Sequence, residues 1–132
     1  MKGYLLDTWA WVEYLEGGDS AEKVNKVLES DGECYTSVQS LAELSDLFNQ
    51  GRLKIDMTWK ELSQFITVKK TETLPVKEKI AEKAGEIKIE ERESKPDFGL
   101  ADAVILATAR KNELTLVSGD PHLTDREITE KI

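Results

Sequence analysis

Apolar positions recur along the chain with two different periods. Gly3 to Leu6 is a short apolar run that stops at Asp7, and from Thr8 to Leu15 the apolar residues (Trp9, Trp11, Val12, Leu15) repeat with helical spacing. The pair predicts a strand leading into a helix. Glu16 to Ser20 breaks the pattern, and Val24, Val27 and Leu28 then mark one face of a second helix ending near Asp31 and Gly32. Glu33 to Thr36 is short and β-prone. Ser37 is placed to cap a helix from Val38 to Asn49, with Leu41, Leu44, Leu47 and Phe48 as its apolar positions and Gly51 as its stop. Asp56 is read as the cap of a helix carrying Trp59, Leu62, Phe65 and Ile66, and Thr67 to Leu74 as a run holding a short edge strand before Pro75.

Farther on, Val76, Ile80, Ala84 and Ile87 repeat among lysines and glutamates, which predicts a helix with one buried stripe and one solvated face. Glu90 to Phe98 is polar, contains Pro96 and reads as a loop. Leu100 to Ala109 is apolar around its whole circumference, the pattern of a helix packed on several sides. Leu114 to Val117 reads as a buried strand, whereas Arg126 to Ile132 carries too few apolar positions to assign. Alternating strands and helices predict a single α/β domain over residues 1–132, with a mainly parallel central sheet and helices on both faces.

Composition narrows the function classes. No apolar stretch approaches the ~20 residues of a spanning helix, and the N-terminal run meets Asp7 too soon for a secretory signal, so the expectation is a cytoplasmic protein without membrane contact. The one cysteine, Cys34, cannot close an internal disulfide or build a thiolate metal cluster. A net charge of −8 argues against a general duplex-DNA binder. It is compatible with a site that holds divalent cations between carboxylates and acts on phosphates, because each ion brings two positive charges to the point of contact.

Four acids fall on one edge of the predicted sheet. In a parallel sheet the strand C-termini and the N-termini of the helices share one rim, where ligands bind. Asp7 follows the first strand and Asp120 the Leu114 to Val117 strand; Asp102 opens the helix entering that last strand, and Glu43 lies early in the helix after Glu33 to Thr36. Each has a plainer reading: Asp7 as a helix N-cap, Asp102 as a helix-dipole partner, Glu43 as a solvent-facing residue, Asp120 as a turn residue before Pro121. Gathered together they would repel one another unless cations intervened. Mg²⁺ or Mn²⁺ between oxygen ligands suits phosphodiester hydrolysis. The chain offers no Ser-His-Asp or Cys-His set as a rival. Metal ligation is expected chiefly from Asp7, Asp102 and Asp120, with Glu43 as a further ligand or as the base orienting the water. His122, Asp97, Asp46 and Ser118 lie beside these acids in sequence and are candidates for orienting ligands. Trp9, Trp11, Tyr14 and Trp59 lack a basic context and read as core or subunit-contact aromatics.

Leu5-Leu6-Asp7-Thr8-Trp9, Ser40-Leu41-Ala42-Glu43-Leu44, the Leu100 to Ala109 segment and Leu116-Val117-Ser118-Gly119-Asp120-Pro121-His122-Leu123 together resemble the PIN domain, especially VapC-type ribonuclease toxins. The resemblance spans nearly the whole chain. It implies a three-layer α/β/α sandwich and endonucleolytic cleavage of RNA. Asp7, Glu43, Asp102 and Asp120 would form an acidic quartet binding Mg²⁺ or Mn²⁺, with Thr8 and Ser118 as supporting hydroxyls. It further implies a homodimer neutralised by a cognate VapB-like antitoxin. The chain departs from many relatives at His122, where they carry another acid. The alternative is a PIN-like module that binds RNA or protein through the same cleft and cuts nothing. Receiver and dehalogenase-type phosphatase folds fit poorly, since they need an acidic pair or Asp-x-Asp after the first strand, and here Thr8 and Trp9 follow Asp7.

Overall fold

The computed structural model describes residues 3–132; Met1 and Lys2, which open the N-terminal stretch read above, lie outside the described residues. Five strands form one sheet: β1 (Gly3–Leu6), β2 (Glu33–Ser37), β3 (Glu72–Leu74), β4 (Thr115–Ser118) and β5 (Thr129–Lys131), in spatial order β3-β2-β1-β4-β5. All four pairings are parallel. Six helices accompany them: α1 (Thr8–Glu16), α2 (Ala21–Glu29), α3 (Val38–Asn49), α4 (Trp59–Gln64), α5 (Glu78–Glu91) and α6 (Leu100–Lys111). No helix among the described residues is long and apolar enough to cross a membrane.

Side-chain alternation along the strands separates two cores. Leu5 and Leu116 pack against Ile80, Ala84 and Ile87 of α5 and the apolar residues of α6. Their neighbours Leu6 and Val117 turn the other way, onto Trp11, Val24, Leu44, Leu62 and Ile66 from α1 to α4 and beyond. The result is the three-layer sandwich, with β1 and β4 between two helical layers. Helix α6 has every residue from Ala103 to Ala109 buried, as its uniformly apolar sequence requires.

Local chemistry sets the boundaries. Asp7 caps α1 by accepting from the Ala10 N–H at 2.8 Å, and Gly17, at φ 66°, ends it in the left-handed conformation, its N–H turned back to the carbonyls of Glu13 and Tyr14. Ser37 caps α3 through the Gln39 N–H, as read from sequence. Two expectations are corrected. The cap of α4 is Thr58, not Asp56: Thr58 and Glu61 form a reciprocal capping box. The helix also continues past Ile66 as a π-helical stretch, Phe65–Lys70, before β3 begins.

A buried polar chain supports that wider turn. The Trp11 indole N–H donates to Thr36 Oγ1 at 3.0 Å, Thr36 and Thr71 hydroxyls lie 2.7 Å apart, and Thr71 donates both N–H and O–H to the Ile66 carbonyl. Because Thr71 spends its one hydroxyl proton on Ile66, Thr36 must donate to Thr71, which fixes the direction of the whole relay. The tail left unassigned by sequence forms β5, hydrogen-bonded along β4.

Candidate active site

Register brings the two central strands to a common end. Leu6 stands opposite both Thr36 and Val117, so Asp7 emerges level with Ser37 and Ser118, its N–H donating to the Val117 carbonyl at 3.3 Å. Helix α6 precedes β4 and delivers Asp102 to the same rim from its first turn. Glu43 reaches it from α3, which starts where β2 ends.

Asp7 is the buried member, 3% exposed. One carboxylate oxygen accepts from Ala10, and the other accepts from Ser118 Oγ. Burial pushes this carboxyl up to about 7; the charges of Asp120 and Asp102 add to the rise, while the bonds from Ser118 and Ala10 oppose it. Ser118 also accepts the Asp120 N–H at 3.0 Å, so one hydroxyl ties two of the acids together.

Glu43 accepts from Thr8 Oγ1 at 2.6 Å. Its carboxyl is raised chiefly by burial and further by Asp102 and Asp120, against the pull of Thr8. Asp102 is raised by burial and by the charge of Asp120, with His122 opposing. Asp7, Glu43 and Asp102 each sense the charge of Asp120, so the four acids share one electrostatic environment.

Ligand atoms of Asp102, Asp120 and His122 all lie within 4.8 Å of one another, and Asp7 and Glu43 stand outside that inner group. His122 Nδ1 is 3.1 Å from Asp102 Oδ2 and 3.9 Å from Asp120 Oδ1, while Nε2 is 3.1 Å from the exposed Asp97. The His122 N–H closes a turn onto Asp120 Oδ1 at 2.8 Å, so Asp120 is a turn former and a member of the cluster at once. The hydroxyls of Thr8 and Ser118 donate to Glu43 and Asp7 respectively. Asp46 is exposed on α3 and takes no part in these contacts, and Trp9 packs its ring against Gly119 at the rim rather than entering either core. Placement at strand and helix ends singles out the four acids in the sequence, and His122 and Asp97 appear there only as candidates for orienting ligands; the central position of His122 and its contact with Asp97 depend on the loop after β4, which carries no periodic signal.

The PIN domain sequence pattern matches residues 4–127. The chain belongs to the PIN domain family. No curated protein sequence matches it. Solved structures share the PIN fold across nearly the full chain. A toxin–antitoxin complex from Klebsiella pneumoniae aligns with TM-score 0.73 at 16% identity, covering 98% of this chain and 100% of that one. VapBC2 from Rickettsia felis, bound to a promoter DNA fragment, gives 0.71 at 21% identity and 98% of both chains. VapC20 of Mycobacterium tuberculosis, a sarcin-ricin loop cleaving toxin, gives 0.68 at 18% identity, covering 86% and 85%. The three-layer architecture of this chain is thus that of VapC-type PIN domains.

Proposed function

We propose that this PIN domain is a divalent-metal-dependent endoribonuclease and the toxin of a VapBC-like pair. The observation that carries the reading is the convergence of Asp7, Glu43, Asp102 and Asp120 on one rim, with burial and mutual charge raising three of the carboxyls. Such a group is costly to ionise without a counter-cation. Hard carboxylate oxygens suit Mg²⁺ or Mn²⁺, so the donor set fits the ion that the family implies. A bound ion would supply a polarised phosphoryl oxygen, a more acidic water and a stabilised leaving oxygen.

In this reading Asp102 and Asp120 hold the ion together with Asp7, whose two oxygens are fixed by Ala10 and Ser118. Glu43, aimed by Thr8, is the acid that orients a water or accepts its proton. The similar structures, two toxin–antitoxin assemblies and a sarcin-ricin loop cleaving toxin, support an antitoxin as partner and RNA as substrate. A homodimer in the cytoplasm completes the proposal, with light scattering of the purified chain as the measurement of its size.

The test is cleavage of a defined RNA pool by the purified protein with Mg²⁺ or Mn²⁺. Chelator is expected to stop it, and Asp102→Asn to slow it at least about 100-fold with the fold retained. RNA binding that persists in chelator, with no cutting under any metal, would instead favour a silent binding module.

A further inference from the structure

His122 is the one histidine of the chain. Its ring is fixed from several sides. Its carbonyl accepts from Arg126 Nη2 at 2.9 Å, Arg126 is gripped by both oxygens of Glu91, and the imidazole stands 5.8 Å from the buried Phe98 ring. The side chain therefore presents its two nitrogens in set directions.

Those directions pose a problem of hydrogen-bond accounting. Nε2 faces Asp97 and Nδ1 faces Asp102 and Asp120, all carboxylates. An ionised carboxylate only accepts, and a neutral imidazole has one donor nitrogen. With the proton on Nε2 toward Asp97, Nδ1 faces two further acceptors, and either a second ring proton or a metal ion on Nδ1 satisfies them. The geometry around the ring matches the second. Metal-bound histidines characteristically give their other ring N–H to a carboxylate, which is the relation of His122 to Asp97. Two donors held at about 2.1 Å by one octahedral ion stand about 3 Å apart, and Nδ1 lies 3.1 Å from Asp102 Oδ2.

Resting on the metal reading above, we propose that His122 Nδ1 is a direct ligand of the ion, beside Asp102 and Asp120, with Asp97 as its positioning residue. The site then has a nitrogen donor where an all-acid site has only oxygens. Mg²⁺ favours hard oxygen ligands, whereas imidazole suits the transition ions. The consequence is a preference for Mn²⁺ over Mg²⁺ set by one side chain.

A lone histidine makes the experiment specific. The untagged protein is loaded with Mn²⁺ and studied by pulsed electron paramagnetic resonance, unlabelled and with ¹⁵N-histidine. The expected result is a ¹⁴N imidazole modulation that changes to a ¹⁵N pattern on labelling. His122→Gln should abolish it and weaken Mn²⁺ binding at least about tenfold, with Mg²⁺ binding changed less than about threefold. Asp97→Asn should keep the nitrogen signal and weaken Mn²⁺ binding about tenfold. Mn²⁺ bound with an affinity that depends on Asp102 but without histidine coupling would overturn the proposal, leaving the nuclease reading intact: the ring would then be a protonated strap between Asp97 and Asp102. Absence of Mn²⁺ binding to the unsubstituted chain would overturn both. If His122→Gln fails to fold, the labelling result on the unsubstituted chain decides.

Discussion

Ser118 donates its hydroxyl to Asp7 across 111 positions of sequence, at the point where β1 and β4 end side by side. The same oxygen accepts the Asp120 N–H, so a single hydroxyl sets the spacing between the first and last acids of the site. Ser118→Ala removes a buried donor and leaves both partners short of a bond. We expect a loss of about 1–3 kcal/mol in stability, read by denaturant unfolding. RNA cleavage should fall about tenfold or more, because Asp7 loses the bond that favours its ionised form. Full activity in the alanine variant would show that the contact is incidental.

Asp7 also gives the metal-free protein a pH signature. Its carboxyl has an ordinary value of 3.8 and sits at about 7 in the fold, so between those values the folded chain holds a proton that the unfolded chain has released. Stability from this group is complete below 3.8 and is lost as pH rises toward 7. Glu43 and Asp102 are shifted in the same direction. His122, raised by Asp102, adds to the trend: its contribution is present below the ordinary 6.5 and lost above its folded value. In chelator the melting temperature should drop on the order of 10 °C from pH 5.5 to pH 8. Asp7→Asn, which keeps a capping side chain, should remove much of that drop. A melting temperature that climbs over this interval would contradict the assignment.

Gly119 carries a steric prediction. A Cβ there would stand 2.4 Å from the Trp9 ring, between Ser118, which bonds both Asp7 and Asp120, and Asp120 itself. Gly119→Ala is therefore expected to displace the loop and cost about 1–3 kcal/mol. Adding Trp9→Ala should recover part of the loss, a coupling that a double-mutant cycle measures. Additive effects would mean that the indole is not the obstacle.

Arg126 pins the same loop from its far side. It bonds both Glu91 oxygens at 2.6 and 3.0 Å, donates to the His122 carbonyl and lies 5.5 Å from the Phe98 ring centroid. Arg126→Ala should lower the melting temperature by about 5–10 °C, a loss of roughly 1–3 kcal/mol. Addition of Mn²⁺ should restore part of it, because an ion held by Asp102 and Asp120 rebuilds the loop from inside. An unchanged melting temperature would place the loop's stability elsewhere.

What the sequence made legible follows the physics of each element. The middle of helix α6 and the C-terminal ends of β1 and β4 are buried, so their runs of apolar residues announce them, and the acids that interrupt or end those runs stand out by cost. The rim shared by Asp7, Glu43, Asp102 and Asp120 follows from parallel strands. The π-helical stretch does not: it depends on Thr71 meeting Thr36 and Trp11, a contact between distant segments that no local pattern encodes. The Thr58–Glu61 capping box was written in the sequence, but Asp56 offered a competing cap two positions earlier. Strand β5 is three residues long, with half-buried Thr129 followed by exposed Glu130 and Lys131, too little for a two-residue period to register.

The parallel sheet has a temporal consequence. Strand β1 is made first yet pairs with β4, and its Asp7 meets Asp102 and Asp120 only after the intervening hundred or so residues exist. A nascent chain that has emerged as far as α5 carries half of the acids and none of the loop that holds His122. The site proposed above is therefore complete only once the segment carrying Asp120 and His122 has been made.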